Sequence, residues 1–255
     1  MEKLKGRCAI FLDIDGTLTY HHPIPSERVI DTLHKAQKAG HKVILNTGRG
    51  YGNIYQPMLE AVKPDGVISS MGQHIIFEGK VIRKATFTEE MKEIALSIAK
   101  KKKLGGFIEG VSKIYSVTYG SIEPWKIDLE SLEKAENAPA DDLLKICYVG
   151  QADAETLEKL GEHFKVYQHE VYFESAVKGY TKAEGMLYVA DLLGIPVENC
   201  IAVGDSSNDM EMVEAAGVGV AMGNATEELK NIADVITETN ANDGVAVILE
   251  QLLEF

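Results

Sequence analysis

The sequence has no long hydrophobic run and little cysteine. No apolar stretch approaches the roughly 20 residues that a membrane-spanning helix needs, so we predict no membrane partner. The cysteines Cys8, Cys147 and Cys200 each stand in or beside an apolar run, and none belongs to a Cys-x-x-Cys pair. This spacing favours buried, reduced thiols over a zinc site or a disulfide framework. Residues 1–7 do not lead into the apolar core of a signal peptide, so we expect a cytoplasmic protein.

The sequence also lacks an excess of basic charge. With 26 basic and 39 acidic residues the net charge is -13, which argues against a protein that binds the nucleic-acid backbone. The longest basic run, residues 100–103, closes a predicted helix, where the helix dipole and solvent both favour cations. Hydrophobic residues make up 45% of the chain, as in soluble globular proteins. We therefore expect no nucleic-acid partner. A monomer and a homodimer are both compatible with the sequence.

The most informative stretch is an apolar run that ends in carboxylates. Cys8 to Leu12 contains no polar side chain, which predicts a strand buried on both faces, as in a parallel sheet. Asp13, Asp15 and Gly16 follow directly. Carboxylates at the end of a buried strand are costly unless something neutralises them, and ligands bind at that edge of an open α/β sheet. The pair therefore predicts a ligand site, the alternative being an ordinary Asp-Gly turn.

Strands and helices alternate in the first and last parts of the chain. Strands are predicted over 42–46, 66–70 and 201–203, and helices begin at Ser26 and Thr181. We predict that the helix over 181–193 buries one apolar stripe, formed by Met186, Leu187, Ala190 and Leu193. This alternation indicates the α/β class, with a doubly wound parallel sheet as the core domain.

The middle of the chain has a different pattern. Helices are predicted over 88–101, 128–136 and 153–163, with half-solvated strands between them, which is typical of an α+β module. We expect its aromatic residues, Trp125 and Tyr148 among them, to pack in its core, the alternative being that some of them line a ligand pocket. We therefore assign residues 1–82 and 179–255 to a parallel α/β core domain, and 83–178 to an inserted α+β module.

Three predicted strands of the core end in polar clusters. The clusters are Asp13 with Asp15, Thr47 with Gly48, and Asp205 with Asn208 and Asp209. In a parallel sheet all three lie on one edge, where four carboxylates would repel each other without a cation. Oxygen ligands of this kind suit Mg²⁺, while a hydroxyl and a bare backbone N–H can hold a phosphate oxygen. Lys182, at the start of a helix, adds positive charge, and a carboxylate is available as a nucleophile.

These motifs resemble those of the haloacid dehalogenase-like phosphohydrolases. Asp13-Ile-Asp15-Gly-Thr-Leu is similar to their first motif, Thr47-Gly48-Arg49 to the second, Lys182 to the third, and residues 204–209 to the fourth. The insert between the second and third motifs resembles the α/β cap of the Cof-type subfamily. The resemblance therefore implies that residues 1–82 and 179–255 form a Rossmann-like core domain and that residues 83–178 form a cap domain that selects the substrate. The third motif departs from the pattern because two lysines are available. We choose Lys182, which opens the helix, and Lys178 remains the alternative.

The resemblance implies a role for each motif residue. Asp13 would attack phosphorus and become an aspartyl phosphate, while Asp15 would act as general acid and then as general base. The implied metal ligands are Asp13, Asp15 through its carbonyl, and Asp205, with support from Asp209. The implied phosphate-binding residues are Thr47, Gly48, Lys182 and Asn208. The role of Arg49 stays open.

The function that we predict is that of a magnesium-dependent phosphatase acting on a small phosphorylated metabolite. A sugar phosphate, a phosphorylated cofactor or a nucleotide-type ester is compatible with the sequence. One alternative is a phosphomutase or phosphotransferase that uses the same nucleophile. The other is a non-catalytic protein that binds a phosphate ligand.

Overall fold

The structure, a computed structural model, describes residues 3–122, 128 and 131–254 and divides the chain into two compact units. Unit 1 comprises Met1–Gly48, Ile54–Ile82 and Thr181–Phe255, and unit 2 comprises Arg49–Asn53 and Arg83–Tyr180. The assignment of a core domain and a cap domain stays a prediction. These units differ from it by grouping residues 49–53 with the second segment and by dividing the chain after Tyr180.

Thirteen strands are found in the described residues. They are β1 (Ala9–Leu12), β2 (Lys42–Asn46), β3 (Gly66–Ser69), β4 (His74–Phe77), β5 (Lys80–Lys84), β6 (Gly105–Gly110), β7 (Ile114–Thr118), β8 (Leu143–Val149), β9 (Phe164–Gln168), β10 (Tyr172–Val177), β11 (Cys200–Gly204), β12 (Val218–Ala221) and β13 (Val235–Ile236). The α-helices of the same residues are α1 (Glu27–Lys38), α2 (Gln56–Val62), α3 (Glu89–Lys102), α4 (Ala154–Gly161), α5 (Lys182–Leu193), α6 (Met210–Ala215), α7 (Glu227–Ile232) and α8 (Gly244–Leu252). No helix within these residues is both long and apolar enough to cross a membrane.

Unit 1 is built on a mixed sheet with the order β13-β12-β11-β1-β2-β3-β4-β5. The strands from β13 to β3 pair in parallel, and β4 returns antiparallel to β3. Leu12 of β1 lies opposite Leu45 of β2 and Val203 of β11, so the ends of these three strands lie within one residue of one another. The α/β class and the parallel core predicted from the sequence are confirmed.

Helix α5 covers one face of this sheet. Its Met186 and Val189 are fully buried and pack with Phe11, Ile44 and Ala202 of the strands. Burial of one such side chain stabilises the fold by about 1.5–3 kcal/mol. Strand residues of the opposite parity, such as Ile10 and Val43, are also fully buried, because α1 covers β2 on the other face.

The inward stripe predicted for α5 was wrong at one position. Leu187 is 40% exposed, whereas Met186 and Ala190 are buried and Leu193 is partly buried. Leu187 is turned about 100° from Met186 on a helix of about 3.6 residues per turn, so it lies beside the stripe and not within it.

Unit 2 contains a five-stranded antiparallel sheet with the order β7-β6-β8-β10-β9. One face packs against α3 and α4 in a core that includes Tyr148, Phe173 and Leu160. The Tyr148 hydroxyl donates a hydrogen bond to the Ala95 carbonyl of α3 at 2.7 Å, so this aromatic residue packs as predicted. Trp125 lies outside the described residues.

The other face of this sheet carries a buried charge cluster. Lys145 Nζ lies 2.8 Å from Glu174 Oε2 and 3.2 Å from Glu109 Oε1, and Cys147 packs between the two carboxylates. Glu109 also accepts a hydrogen bond from the Gly50 backbone N–H, which attaches residues 49–53 to β6. Burial would lower the pKa of Lys145, but the two carboxylates outweigh burial and raise it, so the lysine is charged.

The helix predicted over 128–136 is not present where the structure describes this segment. Residues 129 and 130 lie outside the described residues, and the described part forms a short 3-10 turn at Ala135–Asn137. The backbone before this turn pairs with β7, where the Ser116 N–H donates to the Glu133 carbonyl at 2.8 Å. Pairing with a strand removes the carbonyl that a helix would have used.

Candidate active site

The candidate site lies in unit 1, at the carboxyl ends of β1, β2 and β11. Because Leu12, Leu45 and Val203 are in register, Asp13 is level with Asn46 and Gly204, and the residues that follow continue along the same edge. The Asp13 N–H donates to the Val203 carbonyl at 3.1 Å, which keeps Asp13 in the line of the sheet. Parallel pairing therefore brings together motifs that are almost 200 residues apart in the chain.

Lys182 lies at the centre of this edge. Its Nζ is 2.6 Å from Asp13 Oδ1, 2.6 Å from Asp209 Oδ1 and 3.1 Å from Asn208 Oδ1, and its side chain is fully buried. Thr181 caps α5 by accepting the Glu184 N–H, so Lys182 is the first residue of the helix. The lysine therefore joins the first motif to the fourth.

Lys178 lies elsewhere, in unit 2. Its Nζ donates to the Gly161 carbonyl at 3.0 Å. This contact is a surface hydrogen bond to a helix end and involves none of the candidate site residues. The geometry supports Lys182 as the third-motif lysine.

Asp209 organises the loop after β11. Its second carboxylate oxygen, Oδ2, accepts the backbone N–H groups of Asp205 at 3.0 Å and Ser206 at 3.1 Å, while Oδ1 accepts Lys182. A β-carbon at Gly204 would lie 2.4 Å from Asp209 Cβ, so only glycine allows this approach. Asp209 fixes both Lys182 and the backbone that presents Asp205.

Asp205 faces the turn after β1. Its Oδ1 accepts the Thr17 hydroxyl at 3.3 Å, and a β-carbon at Gly16, where φ is +82°, would lie 2.2 Å from its Oδ2. Ligand atoms of Asp13, Asp205 and Asp209 all lie within 4.8 Å of one another. An all-oxygen set at this spacing fits a hard divalent ion such as Mg²⁺.

The charges of the site are unbalanced. Burial and the carboxylates of Asp209 and Asp205 raise the pKa of Asp13 to about 8, although Lys182 opposes them. Burial and Asp209 likewise raise the pKa of Asp205 to about 6, with a smaller contribution from Asp15. Burial would lower the pKa of Lys182, but Asp13 and Asp209 outweigh it and raise the pKa, so the lysine stays charged. One ammonium thus faces several carboxylates, which a bound cation would balance.

Thr47 and Gly48 continue β2 at the same edge. Thr47 is 1% exposed, and its N–H donates to the Ile68 carbonyl at 2.9 Å. A β-carbon at Gly48 would lie 3.4 Å from Asn208 Nδ2, which places this backbone beside the fourth motif. The Gly48 backbone therefore lies beside the Asn208 amide, whose oxygen contacts the Lys182 ammonium at 3.1 Å, and backbone, amide and ammonium groups together suit a phosphate site.

Asp15 differs from the other carboxylates because it is exposed. It stands on a turn in which the N–H groups of Leu18 and Thr19 both donate to the Ile14 carbonyl at 3.0 Å. An exposed carboxyl on this turn is accessible to a leaving oxygen or a water molecule, which a general acid–base group requires.

Two asparagines that sequence reasoning missed hold this turn. Asn224 Nδ2 donates to the Gly16 carbonyl at 2.8 Å, and Asn240 Nδ2 donates to the Thr19 carbonyl at 3.0 Å. The Asn240 N–H in turn donates to Asn224 Oδ1 at 2.9 Å. Asn224 follows β12 and Asn240 follows β13, at the same edge of the sheet. This position after a strand is the feature by which they could have been identified from the sequence.

Comparison with known proteins agrees with this geometry. A family model described as haloacid dehalogenase-like hydrolase matches residues 10–249. The chain is 32% identical to phosphatase YwpJ of Bacillus subtilis, over 96% of this chain and 99% of the relative. It is 28% identical to the 5-amino-6-(5-phospho-D-ribitylamino)uracil phosphatase YitU of the same organism, over 95% of this chain and 96% of the relative. A solved haloacid dehalogenase-like hydrolase from Bacteroides thetaiotaomicron superposes with a TM-score of 0.82 at 28% identity, covering 96% of this chain and 99% of that one.

The chain belongs to the haloacid dehalogenase-like hydrolases, and within them to the Cof-type phosphatases. It is a phosphoric monoester hydrolase whose substrates are small phosphorylated metabolites. The family and the reaction class predicted from the motifs are confirmed.

Proposed function

We propose that the protein is a magnesium-dependent phosphatase that works through an aspartyl-phosphate intermediate on Asp13. The observation that carries this proposal is the contact of one buried ammonium, that of Lys182, with both Asp13 and Asp209 at 2.6 Å. The lysine holds Asp13 in place, and its charge lies where the oxygens of a phosphoryl group would gather negative charge in the transition state.

The reaction needs two proton transfers and two displacements. An Asp13 oxygen attacks phosphorus, the ester P–O bond breaks, and Asp15 gives its proton to the leaving oxygen. Asp15 then removes a proton from a water molecule, the water oxygen attacks phosphorus, and the bond from phosphorus to Asp13 breaks. Enzyme and inorganic phosphate are restored, and every proton is accounted for.

The remaining residues bind and orient the phosphoryl group. Thr47, Gly48, Lys182 and Asn208 would hold its oxygens. Asp13, the Asp15 carbonyl and Asp205 would hold Mg²⁺, with Asp209 in support. When bound, the ion would supply positive charge that offsets the carboxylates and the phosphoryl oxygens.

The proposal is tested with p-nitrophenyl phosphate, assayed with Mg²⁺ and with a chelator. We expect turnover that needs the metal, and a complete loss in Asp13→Asn, which removes the nucleophile but keeps the shape of the side chain. The variant should keep the far-ultraviolet circular dichroism spectrum of the wild type. Equal inactivity of wild type and variant towards every ester would instead favour a protein that only binds phosphate ligands.

A panel of phosphorylated metabolites would define the substrate. Sugar phosphates, pyridoxal phosphate and phosphorylated flavin precursors are the classes to include, and the similarity to YitU motivates the last of them. Phosphate release should match ester consumption one to one. Formation of an isomeric ester without phosphate release would identify a mutase.

A further inference from the structure

A left-handed turn follows β3 in unit 1. Ser70, Met71 and Gly72 have φ values of +48°, +57° and +94°, and the Gln73 N–H donates to the Ser70 carbonyl at 3.2 Å. This backbone conformation is unfavourable for residues with a β-carbon, and more so for a long side chain such as that of methionine. All three residues are buried. Strained backbone of this kind persists only where its surroundings hold it, and it is concentrated at functional sites.

The turn contacts the second motif. The Met71 N–H donates to the Thr47 carbonyl at 3.3 Å, and the Met71 side chain is 1% exposed. A β-carbon at Gly48 would lie only 3.0 Å from Met71 Cε. Met71 therefore supports the backbone that we assign to phosphate binding, without being one of its binding groups.

The turn also contacts the beginning of α5. A β-carbon at Gly72 would lie 2.5 Å from the carbonyl oxygen of Thr181, the residue that caps α5 and precedes Lys182. A β-carbon at Gly185, in the same helix, would lie 3.2 Å from Gly72 Cα and 2.8 Å from Ile68 Cγ2. Glycines at 72 and 185 thus let the helix approach the turn closely.

We propose that Met71 and Gly72 are positioning residues of the phosphate site. The turn at residues 70–72 sets the distance between the backbone of the second motif and the first turn of α5, so that Gly48 and Lys182 converge on one phosphoryl group. This inference rests on the proposed function. The turn binds no phosphoryl oxygen in this proposal. Its role is structural, since it contacts the Thr47 and Thr181 carbonyls and Gly48.

The first test compares two alanine substitutions of matched backbone strain. Gly72→Ala and Gly40→Ala both put a side chain at a positive φ, +94° and +98°, but a β-carbon at Gly40 meets no atom within 4 Å. We expect kcat/KM to fall about 10- to 100-fold in Gly72→Ala, because small misplacements of catalytic groups have effects of this size. Inorganic phosphate should also become a weaker competitive inhibitor. Gly40→Ala should keep both quantities within about twofold, since only the shared backbone strain remains.

The second test is a cycle between Gly48 and Met71. Gly48→Ala should weaken phosphate inhibition because the new methyl group meets Met71 Cε. Adding Met71→Ala removes that atom, so the double variant should bind phosphate more tightly than Gly48→Ala alone. This non-additive recovery of phosphate binding tests the positioning role of Met71 even if Gly72→Ala does not fold.

The outcomes separate this inference from the proposed function. An inactive wild type would contradict the proposed function. An active wild type with equal kinetics and phosphate inhibition in Gly72→Ala and Gly40→Ala, or with additive effects in the cycle, would overturn the positioning role alone.

Discussion

Replacement of Lys182 by methionine should remove the charge at the centre of the site while keeping most of the side-chain volume. The lysine makes three contacts, at 2.6, 2.6 and 3.1 Å, with Asp13, Asp209 and Asn208. Removing one partner of a buried charge pair typically costs about 3–5 kcal/mol, because the remaining charge is left uncompensated. Here two buried carboxylates would remain.

The effect on catalysis should be separate from the effect on stability. Loss of one group that stabilises transition-state charge typically lowers kcat about 10²–10³-fold, or roughly 2.7–4 kcal/mol. We therefore expect Lys182→Met to lose at least that factor with p-nitrophenyl phosphate at saturating Mg²⁺. The fall in melting temperature should be larger in chelator than in Mg²⁺, because the ion supplies part of the missing positive charge.

Lys178→Met is the matched control for this experiment. Its ammonium contacts the Gly161 carbonyl at the surface of unit 2, so stability should change by no more than about 0.5 kcal/mol, with little effect on kcat. The reasoning would be refuted if the Lys178 variant lost activity while the Lys182 variant kept it. It would also be refuted if Lys182→Met unfolded at the same temperature as the wild type in chelator.

Two further predictions concern the turn after β1 and the charge cluster of unit 2. Gly16→Ala should abolish turnover and weaken Mg²⁺ binding measured by calorimetry, because its β-carbon would lie 2.2 Å from Asp205 Oδ2. Gly79→Ala, at a similar φ of +76° with no atom within 4 Å, should change neither quantity. Burial opposes ionisation of Glu174, but Lys145, with a smaller contribution from His169, outweighs burial and lowers the pKa of Glu174 from 4.5 to about 2. This carboxylate therefore stabilises the fold above pH 4.5 and loses that contribution as the pH falls towards 2. At about 1.4 kcal/mol for each unit of pKa shift, the contribution of Glu174 is on the order of 3 kcal/mol. The free energy of unfolding, measured with urea at pH 3 and pH 7, should therefore depend less on pH in Glu174→Gln than in the wild type. An equal dependence in the two proteins would contradict this prediction.

The buried strands of the core could be predicted because each contains a short run of consecutive apolar residues. β1 is a continuous apolar run, and β2 holds three consecutive apolar residues, Val43 to Leu45. The start of α1 was marked by Ser26, whose side chain accepts the Val29 N–H as an N-cap should. The grouping of the motif residues followed from one rule, that the carboxyl ends of parallel strands share an edge. Neither inference needed knowledge of any contact made by a side chain.

β6 was not predicted from the sequence, because the interactions that make it a strand come from partner strands elsewhere in the chain. Three of its six residues are glycine, which weakens any local signal for a strand. A β-carbon at Gly106 would lie 2.0 Å from the Cys147 carbonyl of β8, so glycine is required by the partner strand. The left-handed turn at Met71 was equally invisible, since methionine gives no indication of a positive φ.

The three buried cysteines allow local unfolding of this protein to be measured by thiol labelling. Cys8 and Cys200 belong to unit 1 and Cys147 to unit 2, and all three thiols are free and buried, as predicted. Burial raises the pKa of each, to about 11 for Cys200, so little reactive thiolate exists at neutral pH in the native state. A thiol reagent would therefore label each unit only when that unit unfolds locally or globally. Mass spectrometry of the labelled peptides would then give the unfolding rate of each unit without any engineered cysteine.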